Sequence, residues 1–202
     1  VVIKANEKVL DVPLKDGKIC EVITRKGSYK ADEYILAAGS WTGLVAKKLG
    51  MKFLLQAGKG YRINVERETN ISLPAILAEA KAAVTPMNGF TRFAGTMEIA
   101  GINDAVNPVR VKAIAKAAHD YYEKVTITQE EMNNASSGLR PLSPDGVPYI
   151  GRTKHCSNLI IATGHAMMGW TMATGTGKLV AEIISDNKNS LDLNPFSPDR
   201  TF

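Results

Sequence analysis

The chain is poor in residues that build metal centres. Its 202 residues hold two cysteines, Cys20 and Cys156, and three scattered histidines. Neither type falls at a zinc-ligand spacing, so no metal site is expected. A disulfide between the two cysteines is the alternative but is not indicated, and two reduced thiols in a cytosolic protein is the plain reading. No apolar run reaches about 18 residues, so no segment reads as a helix that spans a bilayer. Charge of one sign is scarce too. Lys plus Arg is 25 against 20 for Asp plus Glu, a net +5, and the longest basic clusters are pairs such as Lys47-Lys48. That is too little for a nucleic-acid footprint and leaves only a weak attraction to anionic surfaces. Nucleotide loops are also missing. Gly175-Thr176-Gly177-Lys178-Leu179 invites a phosphate-loop reading, but Met172 stands where Gly is required and Leu179 where Ser or Thr would bind magnesium. No GxGxxG follows a strand-like segment, so no complete dinucleotide site lies within the chain. There is no internal repeat and no low-complexity segment.

What is present is an ordinary globular composition, 45% apolar and 22% charged. The length suits one domain or two small ones. The chain opens with Val1-Val2-Ile3, without Met or a signal peptide, and its first segment already reads like the middle of a protein. A longer polypeptide is expected.

Hydrophobic patterning predicts strands over 8–14, 18–24 and 28–37, with turns at Asp16-Gly17 and Lys26-Gly27. They would form a meander ending in Ala37-Ala38-Gly39-Ser40-Trp41. A short helix follows over 41–49, stopped by Gly50. From 51 to 104 the texture changes to short strand-like pieces, including 60–65, 75–80, 90–94 and 96–100. Asn107-Pro108 is a strong helix start, since Asn caps and Pro suits the first helical position. That helix is expected to reach about 122, with Val111, Ile114, Ala118 and Tyr121 at helical spacing. A stiff Gly/Pro-rich loop is expected over 138–151. Then come an apolar strand at 159–163, a loop from Gly164-His165, and a helix over 169–186 whose buried stripe is Leu179, Val180, Ile183 and Ile184. The tail, 192–202, should be extended. The pattern is α+β, with a middle that looks like an inserted second domain. The expected divisions are 1–50, 51–132 and 133–202.

Two segments could carry chemistry. The strand-to-helix turn holds Gly164, His165, Ala166, Met167, Met168, Gly169, Trp170 and Thr171. Such a turn offers unpaired backbone N–H groups and the positive end of a helix dipole, suited to a partial negative charge. A plain structural turn is the competing reading. The second segment is Gly138-Leu139-Arg140-Pro141 with Pro144-Asp145-Gly146-Val147-Pro148. Arg140 offers a planar fork that matches a carboxylate. It could equally pair with an internal acid such as Asp145.

These motifs stand in a telling order. Ala37-Ala38-Gly39-Ser40-Trp41 comes first, then Lys59-Gly60-Tyr61, Gly95-Thr96-x-Glu98, the 138–151 segment, and Ile161-Ala162-Thr163-Gly164-His165. The series resembles FAD-dependent D-amino-acid oxidases and dehydrogenases, and within them the bacterial dehydrogenase small subunit. The resemblance covers the whole chain but only the C-terminal half of the family. It implies the C-terminal part of a two-domain FAD-dependent oxidoreductase, with the GxGxxG half missing, and a piece that alone binds FAD weakly or not at all and is inactive. It implies that Ala37, Ala38, Gly39 and Trp41 pass the pyrophosphate and adenosine side of FAD. It implies that residues 164–171 lie against the pyrimidine edge of the flavin, with His165 a positioning residue rather than a base. Arg140 would bind the substrate α-carboxylate, and Tyr61, on the segment that leads into the substrate domain, is a second substrate-binding candidate. Family members often carry an aromatic just before the Gly-x-Arg-Pro stretch, where this chain has Ser136 and Ser137, and the dehydrogenases tend to carry Asp at Asn103. The implied reaction is oxidative deamination of a D-amino acid to a 2-oxo acid and ammonia. Electrons would pass to a quinone or another acceptor, and the compartment would be cytoplasmic or peripheral at the inner membrane. The alternatives are an amine oxidase for glycine, sarcosine or proline, and a non-catalytic subunit.

Overall fold

The computed structural model describes residues 1–202. Their contacts divide into two units, Val1–Gln56 with Pro141–Phe202, and Ala57–Arg140. In the first unit the three expected strands are each broken in two. They become β1 (Val9–Asp11), β2 (Leu14–Lys15), β3 (Lys18–Ile19), β4 (Val22–Thr24), β5 (Ser28–Tyr29) and β6 (Tyr34–Leu36). Pro13 separates β1 from β2 because it has no N–H for a ladder. Between β5 and β6 the Tyr34 hydroxyl caps the Ala31 N–H at 3.1 Å, and the chain turns there. So β1, β4 and β5 make one small sheet, β2 and β3 a hairpin across Asp16-Gly17, and β6 leaves for another sheet. A 3₁₀ turn at Gly39–Trp41 leads into α1 (Thr42–Lys48).

The second unit is a sheet with one helix-covered face. Its strands are β7 (Gln56–Val65), β8 (Ala75–Leu77), β9 (Ala82–Met87) and β10 (Phe90–Ile99). The patterning missed β9. The pieces at 90–94 and 96–100 are one strand, bulged between Gly95 and Glu98, with Thr96 at φ +58°. α2 (Pro108–Tyr121) begins as expected, with the Asn107 side chain accepting from the Val109 N–H. Val111, Ile114 and Ala118 are buried, whereas Tyr121, near the helix end, is exposed. A short α3 (Gln129–Asn133), fixed by a Thr128/Glu131 capping box, was not foreseen. β11 (Ser136–Leu142) completes the order β11-β7-β10-β9-β8. Alternation puts Tyr61, Ile63 and Val65 of β7 and Phe93 of β10 into one core with Val111, Ile114 and Ala118. Residues 60, 62, 92 and 94 therefore belong to the opposite face.

The expected loop over 138–151 is mostly strand. β11 accommodates Pro141 because it is an edge strand. A tight turn then leads to β12 (Tyr149–Thr153), β13 (Cys156–Thr163) and α4 (Gly169–Ile184). β13 pairs antiparallel with β12 and parallel with β6, Leu159 opposite Tyr34 and Ile161 opposite Leu36. Its run of apolar residues reflects burial on both faces. Leu159 and Ile161 pack with Leu36, Ala46 and Leu49, while Ile160 packs with Ile150 and with Leu179, Val180 and Ile183 of α4. Ile184 is not in that stripe, being 40% exposed at the helix end. Cys20 and Cys156 are both free.

Candidate active site

In the second unit the open face of the sheet carries Arg140. Its guanidinium lies over Gly60, where an added Cβ would sit 1.8 Å from Nη1 and 2.6 Å from Cζ. Gly60 is thus the one residue type that leaves room for this side chain. Arg140 Nη1 is buried without a hydrogen-bond partner. Burial alone pulls the guanidinium below its ordinary range, and no carboxylate opposes it. Asp145, the acid that could have neutralised Arg140, belongs to the first unit and is held instead by Arg200, whose Nε and Nη2 donate to it at 3.0 Å. Arg140 therefore borders a cavity of about 380 Å³ with its fork unsatisfied.

Tyr61 also borders that cavity, but it is 1% exposed and its hydroxyl donates to the Glu98 carboxylate. Burial and that carboxylate push the phenol up to about 12. Its hydroxyl is committed to the fold, so a substrate-binding role through it is not what the geometry provides. Glu98 also accepts from Asn107 and pairs with Arg110 at 3.3 Å, tying the start of α2 to the sheet. Buried Lys59 completes this knot by donating to Asn103 and, at 3.0 Å, to the Ala105 carbonyl.

In the first unit, the parallel pairing of β6 and β13 sends residues 37–41 and 164–171 out from the same edge. One buried hydroxyl ties the two segments together. Thr163 Oγ1 accepts from Thr42 at 3.1 Å and donates to the Gly39 carbonyl at 3.3 Å. Gly164 sits at φ +82°, and a Cβ there would also press on the Tyr149 ring at 3.1 Å. Two amides of the turn are already used, Ala166 N–H by the Pro141 carbonyl and Met168 N–H by that of His165. Those of Gly169, Trp170 and Thr171 open the helix and have no acceptor within it. No acidic side chain lies in that first turn. His165 Nε2 meets the Thr176 hydroxyl at 2.9 Å, and burial pulls the imidazole below its ordinary range, which favours the neutral ring at pH 7. Met167, Met168 and Trp170 are exposed, Trp170 by 95%, and Trp41 is half exposed. Ser40 Oγ is buried without a partner. Sequence reasoning missed Thr42, Thr163 and Ser40. It also missed Arg62 and Arg92, which line the same cavity as Arg140.

Comparison with known proteins bears on the family and the fold. The family model described as DAO, FAD dependent oxidoreductase, matches residues 1–183. The chain is 32% identical over 197 residues to a D-amino acid dehydrogenase of Bradyrhizobium diazoefficiens, covering 95% of this chain and 46% of that protein. It is 32% identical over 190 residues to a D-amino acid dehydrogenase of Agrobacterium fabrum, covering 93% and 45%. The chain thus spans about half the length of the curated relatives it matches. Among solved structures, glycine oxidase from Geobacillus kaustophilus superposes with a TM-score of 0.83 at 23% identity, over 97% of this chain and 52% of that one. L-Proline dehydrogenase from P. horikoshii gives 0.82 at 20% identity, over 95% and 53%. At these identities the structures establish the fold alone.

Proposed function

Since the chain belongs to the DAO family of FAD-dependent oxidoreductases, we propose that the protein oxidises D-amino acids to 2-oxo acids and ammonia. One observation carries this reading. A half-buried arginine with no internal partner is held over a glycine, in a cavity sized for a small molecule. An unpaired buried guanidinium is costly, and a substrate carboxylate would satisfy it with two parallel charge-assisted hydrogen bonds.

The first unit fits FAD on its own geometry. The first-turn amides of α4 and the positive end of its dipole suit electron-rich ring oxygens. The exposed Met167, Met168 and Trp170 suit a broad apolar ring, and the orphaned Ser40 hydroxyl lies in the other segment of the same edge. Residues 164–171 and 37–41 would hold the group between them. When bound, FAD supplies the acceptor for the hydride that leaves the substrate Cα. Arg140 would fix the α-carboxylate and so hold Cα–H in one orientation, which lowers the barrier by removing rotational freedom before the chemical step. His165, neutral and engaged with Thr176, would position the turn rather than take a proton. Water then hydrolyses the imino acid to the 2-oxo acid and ammonia.

The test uses the full-length, flavin-loaded protein with an artificial electron acceptor. D-Alanine, D-proline, glycine and sarcosine are compared for kcat/KM, with and without Arg140→Ala. Preference for D-amino acids and a loss of about 2–5 kcal/mol in Arg140→Ala, roughly 30-fold or more, are expected. A near-normal kcat/KM in that variant refutes the carboxylate clamp.

A further inference from the structure

The eight arginines of the chain fall into three groups. Arg67, Arg110, Arg152 and Arg200 each pair with an acid, and Arg25 lies in an exposed turn. The remaining three, Arg62, Arg92 and Arg140, make no ion pair and line one cavity. That lining contains no Asp or Glu. Strand register explains why they meet. Arg62 on β7 stands opposite Ala94 on β10, and Arg92 stands opposite Asn64, so both side chains share the face that carries Gly60. Arg140 lies over Gly60 from β11, the strand next to β7. Three adjacent strands, about 4.8 Å apart, thus each contribute one guanidinium to the uncovered face.

Two of the three are aimed by neutral partners. Arg62 Nε donates to Ser136 Oγ at 2.8 Å, and Arg92 Nε donates to Asn64 Oδ1 at 3.1 Å. Their terminal nitrogens have no hydrogen-bond partner in the protein. Ser136 occupies one of the two positions just before Gly-x-Arg-Pro where an aromatic would have narrowed the site. Burial and the neighbouring Arg62 charge pull the Arg92 guanidinium below its ordinary range. Three like charges gathered without a counter-ion repel one another, and one carboxylate at Arg140 neutralises only part of that charge.

We propose that Arg62 and Arg92 form a second anion subsite beside the Arg140 clamp, and that the substrate is an α-amino dicarboxylate of the D-aspartate or D-glutamate type. This rests on the deamination assigned above and names its substrate class. Arg140 takes the α-carboxylate, and the outer nitrogens of Arg62 and Arg92 take the side-chain carboxylate.

The full-length, flavin-loaded protein is assayed with D-glutamate and with D-glutamine, which has the same shape without the charge. The expected kcat/KM ratio favours glutamate at least tenfold. Arg62→Gln and Arg92→Gln should each lower that ratio at least fivefold, and Arg62→Lys should retain more of it than Arg62→Gln. In a second measurement, the perturbation of the flavin absorbance reports binding of glutarate and of butyrate. Glutarate should bind at least tenfold more tightly, and each Gln variant should erase the difference. Equal kcat/KM for the acid and the amide, or equal binding of the two inhibitors, overturns the subsite while leaving deamination standing. No turnover of any D-amino acid overturns the reaction, and the substrate with it.

Discussion

Gly60→Ala isolates the geometry on which the active-site reading depends. The added methyl would start 1.8 Å from Arg140 Nη1 and 2.7 Å from Nη2, so the guanidinium must retreat to at least the 3.4 Å of ordinary contact. The backbone itself does not resist, since Gly60 lies in mid-strand and has no positive φ. Alanine in a strand is favoured over glycine by roughly 0.5–1 kcal/mol, so the melting temperature should hold or rise slightly. Catalysis should suffer. A displacement of about 1 Å can cost around 100-fold, and one lost hydrogen bond to a charged group costs about 1.5–3 kcal/mol, or roughly 10- to 150-fold in kcat/KM. Steady-state kinetics and thermal unfolding of the full-length flavoprotein check both halves. Adding Arg140→Ala to Gly60→Ala supplies a further control. If the glycine acts only through the arginine, the double variant is no worse than Arg140→Ala alone. Losses that multiply, or a Gly60→Ala protein with normal kinetics, would show that the guanidinium over this glycine is not the clamp.

Other residues make separable claims. Tyr61→Phe should lower the melting temperature by removing the bond to Glu98 but change kcat/KM for D-amino acids less than threefold; a loss comparable to that of Arg140→Ala would return the hydroxyl to the site. Glu98 is held below the ordinary carboxylate range by Tyr61 above all, then by Asn107 and Arg110. Its stabilising effect is therefore present above the unfolded pKa of about 4.3 and lost as pH falls through the lower folded value. Melting curves should show Glu98→Gln less stable than wild type at pH 7, with the gap closing towards pH 3. Thr163→Val removes the hydroxyl that accepts from buried Thr42, which should cost about 1–3 kcal/mol and weaken flavin retention, read from the ratio of 450 to 280 nm absorbance. Arg200→Ala loses the Asp145 fork and the guanidinium 3.8 Å over the Tyr149 ring, so unfolding should occur several degrees lower.

How much could be read from the chain depended on how local each signal is. Asn107-Pro108 marks α2 because capping acts within one turn, and the apolar run at 159–163 marks a strand because a short run of apolar and β-branched residues is itself the signal. The early strands broke where Pro13 and the Tyr34 hydroxyl interrupt the ladder, and a propensity window averages over such single-residue events. The loop expected over 138–151 failed for a tertiary reason. Proline forbids a central strand but not an edge one, and edge position is decided by partners far away in sequence. The same reason hid half of the candidate site. Arg140 could be singled out from its setting among prolines and glycines. Arg62 and Arg92 could not, because an arginine alternating with core residues on a strand reads as a solvated face. They become a site only through the register that sets Arg62 against Ala94, thirty-two positions on, and through β11, which brings Arg140 to lie over Gly60. Charge on one residue is a local property; charge without a counter-ion belongs to a surface. That is why the subsite is testable by separating the acid from its amide, which differ in charge and in little else.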